Sequence, residues 1–171
     1  MNEEKPVAAF DGSITDDELL AAFDVPFRFS ERPAPVLPRH RIAWGLSLVI
    51  LILVLCSRGR RASLQKLHVL NWAVRNEENR KTFRKFLAGS TDPGAILIRY
   101  EPSLNRAIDF AAGEHLVAIL DSGSIQLTEQ GSSFAAELLA QKEVLIAEIA
   151  FFKELRLQVT EQMVTNLTRF I

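Results

Sequence analysis

Cysteine is almost absent, with Cys56 the single thiol in 171 residues. One thiol closes no internal disulfide and builds no cysteine zinc site, so we expect a reducing, cytoplasmic setting. At the end of an apolar run it reads as a small buried hydrophobe, not a reactive nucleophile. Neither sign of charge is in excess: the net is −1, so affinity for nucleic acid or an acidic membrane has to come from a local patch. A Gly-rich phosphate loop, a nucleophile elbow and paired catalytic carboxylates are also missing. His40, His68 and His115 stand isolated, with no further ligand at metal-binding spacing. These gaps argue against an enzyme and against a bound metal or cofactor. His68 reads instead as a hydrogen-bonded core or boundary histidine. The chain opens on Glu3 and Glu4, not on a basic stretch, so no cleavable export signal is expected.

What is present starts with one apolar stretch, Ile42 to Cys56 (IAWGLSLVILILVLC), flanked by Arg39, His40 and Arg41 before it and Arg58, Arg60 and Arg61 after it. Two readings compete, a membrane span with basic flanks and the central helix of a core. A spanning helix needs about 20 apolar residues, while shorter uncharged runs are more often buried core helices. The segments that follow look like the missing layers of a domain, and the core reading is preferred. At 48% hydrophobic and 24% charged residues the chain belongs with globular proteins.

Charge is unevenly spread along the chain. Residues 1–38 carry a net −5, residues 58–128 a net +4 and residues 129–171 a net −2. In the acidic arm Thr15 and Glu18 form a capping box, which predicts a short helix over about residues 16–23 with Leu19, Leu20 and Phe23 on one face. Pro26, Pro33, Pro35 and Pro38 then impose an extended connector.

After the apolar run, Ser57–Arg61 makes a turn and Ser63 is a candidate N-cap. Leu64, Leu67, His68, Leu70 and Val74 recur at helical spacing, with Trp72 at the edge of the stripe. Asn76 or Asn79 is the expected interruption, and Arg80–Leu87 resumes the helix. Gly89–Gly94 is a break. Ala95–Tyr100 is a strand candidate. Pro102 and Ser103 open a helix that Gly113 should end in a left-handed conformation. His115–Leu120 and Ile125–Thr128 pair as a hairpin across Asp121–Ser124, with Gly123 supplying positive φ. Residues 129 to about 157 read as one long helix, and Thr160 opens either a second helix or a continuation.

The segment Gln126–Gly131 (QLTEQG) resembles the wing of many bacterial winged-helix proteins, in which a strand ends in Leu-Thr-x-x-Gly and opens a C-terminal helix. Ser63–Val74 (SLQKLHVLNWAV), Pro102–Phe110 (PSLNRAIDF) and Glu143–Leu167, with its Val159-Thr160-Glu161 step, resemble the small middle subunits of bacterial three-component ABC-ATPase systems. Lamassu-type anti-phage defence, built around an SMC-like ATPase, is one such system. The likeness covers about residues 40–168 and leaves out the acidic arm. It implies a small subunit that binds the ATPase and an effector and does no chemistry itself.

The expected architecture is mainly α with a small β-wing. An acidic arm (1–38) precedes a winged helix-turn-helix domain (39–130), and a long C-terminal helical segment (131–171) follows. In that plan residues 103–112 take the recognition-helix position, where Asn105 and Arg106 are the base-reading candidates. Asp109, Glu114 and the uncharged or acidic wing tip oppose phosphate contact. Arg80, Lys81, Arg84 and Lys85 share a helix face that could cover phosphates, but Glu77 and Glu78 beside them favour a self-paired surface. Arg58, Arg60 and Arg61 could touch DNA held by a larger complex or cap the core helix. Leu138, Leu145, Phe152 and Val159 recur every seven residues, and Val144, Ile149, Phe151 and Leu155 extend the apolar surface to two faces. A partner subunit or a homodimer would cover the second face, and the resemblance favours the partner. A non-enzymatic adaptor is thus the leading expectation. A homodimeric DNA-binding regulator and a single-span membrane protein with a cytoplasmic winged domain are the alternatives.

Overall fold

The computed structural model describes residues 42–169. The expectations for the N-terminal arm, including the helix face of Leu19, Leu20 and Phe23, lie outside the described residues. Seven α-helices and a three-stranded antiparallel sheet make up the described chain.

Helix α1, Ile42–Leu55, is the apolar run. Its β-branched residues are modest helix formers, so its stability has to come from packing. Leu48 to Leu53 are each 0% exposed. Six consecutive residues span more than a full turn, so α1 is enclosed on every side, as a core helix must be. Ser57 Oγ closes its C-terminal end by donating to the Ile52 carbonyl at 3.0 Å. Among the described residues no helix is long and apolar enough to cross a membrane.

A short 3-10 turn at Arg58–Arg60, with Gly59 at φ 61°, leads into β1, Arg61–Ala62. Helix α2, Leu64–Val74, starts at Ser63, whose hydroxyl accepts from the Lys66 amide at 3.1 Å. Helix α3, Glu77–Leu87, starts at Asn76, whose side chain accepts from the Asn79 amide at 2.7 Å. The expected interruption at Asn76 is therefore a cap. Helix α4, Pro102–Gly113, makes the most extensive contact with α1. The two approach closely where α1 has glycine: a Cβ on Gly45 would stand 2.9 Å from that of Ala107.

The strand expected over Ala95–Tyr100 does not form. Pro93–Ala95 is a 3-10 turn and residues 96–100 pair with nothing in the sheet. Burial alternates there, with Ile96 and Ile98 inside and Leu97 outside, which accounts for the strand-like pattern. β3, Ile125–Leu127, pairs with β1 on one edge and with β2, Val117–Ile119, on the other. The hairpin is as expected, with Gly123 at φ 73° in its turn. At the end of α4, by contrast, His115 and not Gly113 takes the left-handed position, at φ 55°. The Leu116 amide donates to Ala111 O and the His115 amide to Ala112 O, a closure that places the left-handed residue two positions later than expected.

The single long C-terminal helix is also corrected. The chain forms α5, Glu129–Ala140, α6, Ile146–Leu155, and α7, Glu161–Thr168. Gln141 is extended, and Leu145 (φ 53°) and Arg156 (φ 46°) adopt positive φ at the two ends of α6. One continuous helix from 129 to 157 would run about 40 Å in a straight line and carry its apolar second half past the core. Turning back puts α5 and α6 against α1 and α7 against α2. Residues 131–169 are thus layers of the core and not a separate segment. Thr160 caps α7, accepting from the Met163 amide at 3.2 Å.

The Leu-Thr-x-x-Gly sequence has a geometric cause. Thr128 Oγ1 accepts from the Gly131 amide at 3.0 Å and donates to the His115 carbonyl at 2.7 Å, which ties the start of α5 to the start of β2. A Cβ on Gly131 would collide with the Leu116 carbonyl. Gly131→Ala should therefore cost about 1–3 kcal/mol, the range for overpacking. Gly113→Ala, in a helix with open space around it, should be neutral or stabilising by up to about 1 kcal/mol. Urea unfolding of the two variants tests the contrast, and equal effects would contradict it.

Candidate functional site

Three surfaces hold the residues that the sequence singled out. The first lies between α4 and the hairpin. Leu64, Asn105, Ile108, Asp109, Ile119 and Ile125 line a shallow groove of about 280 Å³, and Leu64 and Ile119 are 40% and 55% exposed. No cation lines this groove among the described residues. Asn105 is exposed and lines the groove, and its Oδ1 accepts from His68 Nε2 at 2.9 Å. Tyr100 stacks on the His68 ring at 4.4 Å, and an Arg75–Glu101 pair at 2.8 Å flanks the cluster. His68 is thus the hydrogen-bonded core histidine expected, but among the described residues its buried Nδ1 has no partner. Both base-reading candidates, Asn105 and Arg106, are exposed, and Asn105 Oδ1 is engaged by His68.

The second surface is the basic face of α3. Arg80 donates to Glu77 (3.0 Å) and to the Val74 carbonyl (2.9 Å). Arg84 forms a two-point clamp on Glu154 of α6 at 2.8 and 2.9 Å and lies over the Phe151 ring at 5.3 Å. Arg84 holds the Glu154 carboxyl below the usual carboxylate range, chiefly through the hydrogen bond. The self-paired reading therefore holds for these two arginines, while Lys81 and Lys85 point to solvent.

The third surface is the basic turn. Arg60 donates to Ser132 Oγ at 2.7 Å. Arg58 and Arg61 line a cleft of about 540 Å³ together with Cys56, Lys66 and Glu161. They do not cap α1, whose last turn contains no basic residue and whose end Ser57 satisfies. Cys56 is fully buried, its thiol 3.5 Å from the Phe152 carbonyl, and burial pushes its pKa up to about 12. It is a protonated core thiol, as its position in the apolar run suggested.

The apolar C-terminal residues divide in a way the heptad did not indicate. Phe151, Phe152 and Leu155 are at most 1% exposed and belong to the chain's own core, so they are not free for a partner. Leu145 and Ile149 are half-buried, and Val144 and Ile146 are exposed at 45% and 64%. The second buried face inferred for a single helix is the fold-back of α6.

Sequence reasoning missed Leu64 and Ile119 as surface residues, and missed Lys66 and Glu161 altogether. Lys66 had a signal: a lysine inside a helix whose residues 66–74 are otherwise suited to burial. No protein-family model, curated protein or solved structure matches this chain.

Burial lowers the pKa of His68, with the Asn105 hydrogen bond and the Glu101 charge opposing it. The folded chain therefore takes up this proton less readily than the unfolded one, whose imidazole titrates near 6.5. Stability should fall as pH drops below about 6.5. His68→Gln removes this titration, so its unfolding free energy should decline less between pH 7 and 5 than that of the wild type. Identical slopes in urea titrations would contradict the assignment.

Proposed function

We propose that this chain is a non-enzymatic winged-helix adaptor subunit of a bacterial anti-phage defence complex, binding an SMC-like ABC ATPase and an effector. The winged-helix part is supported by element order. A helix and a short strand precede the helices, a hairpin follows, and the early strand adds to the hairpin's second strand in the order β1-β3-β2. The extra helix α3 between α2 and α4 is an addition to the minimal plan.

The observation that carries the adaptor reading is the surface of α4 and the hairpin. A DNA reader needs cations there to release counterions from phosphate. This chain has exposed Leu64 and Ile119 beside Asp109, with Asp121 at the hairpin tip. Exposed apolar residues with few charges favour a protein partner. The regulator alternative keeps Arg106 exposed, while Asn105, also exposed, has its Oδ1 engaged by His68. Of the contact residues proposed from sequence over 144–155, Val144 is exposed, as is the neighbouring Ile146, and Leu145 and Ile149 are half-buried.

Co-purification with the products of neighbouring genes tests the proposal. Leu64→Glu with Ile119→Glu should abolish capture of an ATPase partner, with a stability change within about 0.5 kcal/mol because both side chains are exposed. Arg106→Ala should leave capture unchanged. Undiminished capture by the double variant, or duplex binding that Arg106→Ala destroys, would overturn it.

A further inference from the structure

The cleft at the basic turn has a feature that neither the packing nor the adaptor reading uses. Lys66 is only 4% exposed, yet among the described residues no hydrogen bond or ion pair holds its ammonium. The ammonium is not sealed off from the cleft either. Glu161 and Arg58, both on the cleft wall, are the charged groups that act on it. Burial lowers its pKa, with Glu161 opposing. A buried cation without a partner is costly, and like charges beside it add to the cost.

The charges around the cleft are unbalanced. Among the described residues, Arg58, Arg61 and Lys66 face a single carboxylate, Glu161. That carboxylate is already engaged, accepting from the Ser63 amide at 3.2 Å and the Ser63 hydroxyl at 2.7 Å at the start of α2. The excess is two positive charges, which a dianion offsets. Arginine forks and a lysine ammonium are the side chains that hold phosphate by charge-assisted hydrogen bonds. At about 540 Å³ the cleft is larger than a bare phosphate needs and falls in the range of small-molecule sites, about 300–1,000 Å³. Val159 and the half-exposed Leu157 give it an apolar wall. A rigid duplex backbone does not reach a lysine this deeply placed, whereas a terminal phosphate on a small body does.

We propose that this cleft binds a small organic phosphate monoester, with the phosphate on Lys66, Arg58 and Arg61 and the organic body against Leu157 and Val159. Glu161 acts as an internal competitor for the same cations.

Calorimetric titration of the full chain with phenyl phosphate at constant ionic strength tests this. Wild type should show saturable one-site binding, tighter than that of inorganic phosphate, which lacks the apolar body. Lys66→Met should weaken binding at least about ten-fold, the scale of a lost charged hydrogen bond. It should leave the melting temperature equal or higher, because removing a buried charge in favour of an apolar isostere is often neutral or stabilising. Arg58→Ala with Arg61→Ala, both exposed and outside the core, should also weaken binding and covers the case in which Lys66→Met fails to fold. Glu161→Gln should tighten it. Absent saturation in the wild type, or unchanged affinity in the lysine or arginine variants, would overturn the proposal. So would duplex DNA binding that depends on Lys66 without any phenyl phosphate binding.

Discussion

Enclosure of the Leu48–Leu53 stretch of α1 is the constraint on which the rest of the structure depends. A helix built from leucine, isoleucine and valine on every side has no face to offer water, so the chain has to supply cover all round. It does so from four helices and a strand: α2, α4, α5, α6 and β3 all pack on α1. The tight α1–α4 crossing at Gly45, the turn-back before α6 and the clamp of Arg84 on Glu154 are consequences of that requirement. A bidentate surface pair adds at most about 1 kcal/mol, which is small beside the burial it accompanies. It orients α3 against α6 more than it holds them.

Much of this was legible in the sequence. The run Ile42–Cys56 announced a core helix by its composition and length. Ser63 and Thr160 announced helix starts, since a side chain that accepts from an amide three residues on is a local matter, whereas Asn76 read only as one of two possible interruptions. The Thr128–Gly131 step announced the hairpin-to-helix junction, because only glycine fits against the Leu116 carbonyl. What was not legible depended on distant partners. Residues 95–100 alternate like a strand, but pairing is decided by who occupies the edges of β3, and β1 is only two residues long. The seven-residue recurrence through Leu138 and Phe152 matched one helix, yet covering α1 required two. For the candidate sites, the burial of Phe151 and Phe152 and the exposure of Leu64 and Ile119 follow from the same tertiary choices.

The surface separates into regions of different chemistry. The groove beside the hairpin is apolar with an acid, and the basic turn opens onto a cleft that contains Lys66. These features lie on opposite sides of the α2 start: Leu64 faces the first and Lys66 the second. A ligand held at Lys66 would therefore bear on the same helical turn that presents Leu64 to the groove.

Native-state hydrogen exchange tests the central claim most directly. The amides of Leu48 to Leu53 should exchange only through global unfolding, with an opening free energy equal to that from urea denaturation. Exchange of those amides at a lower free energy than the amides of α4 and the hairpin would mean that α1 leaves while the remainder stays folded. That result would contradict a fold built around it.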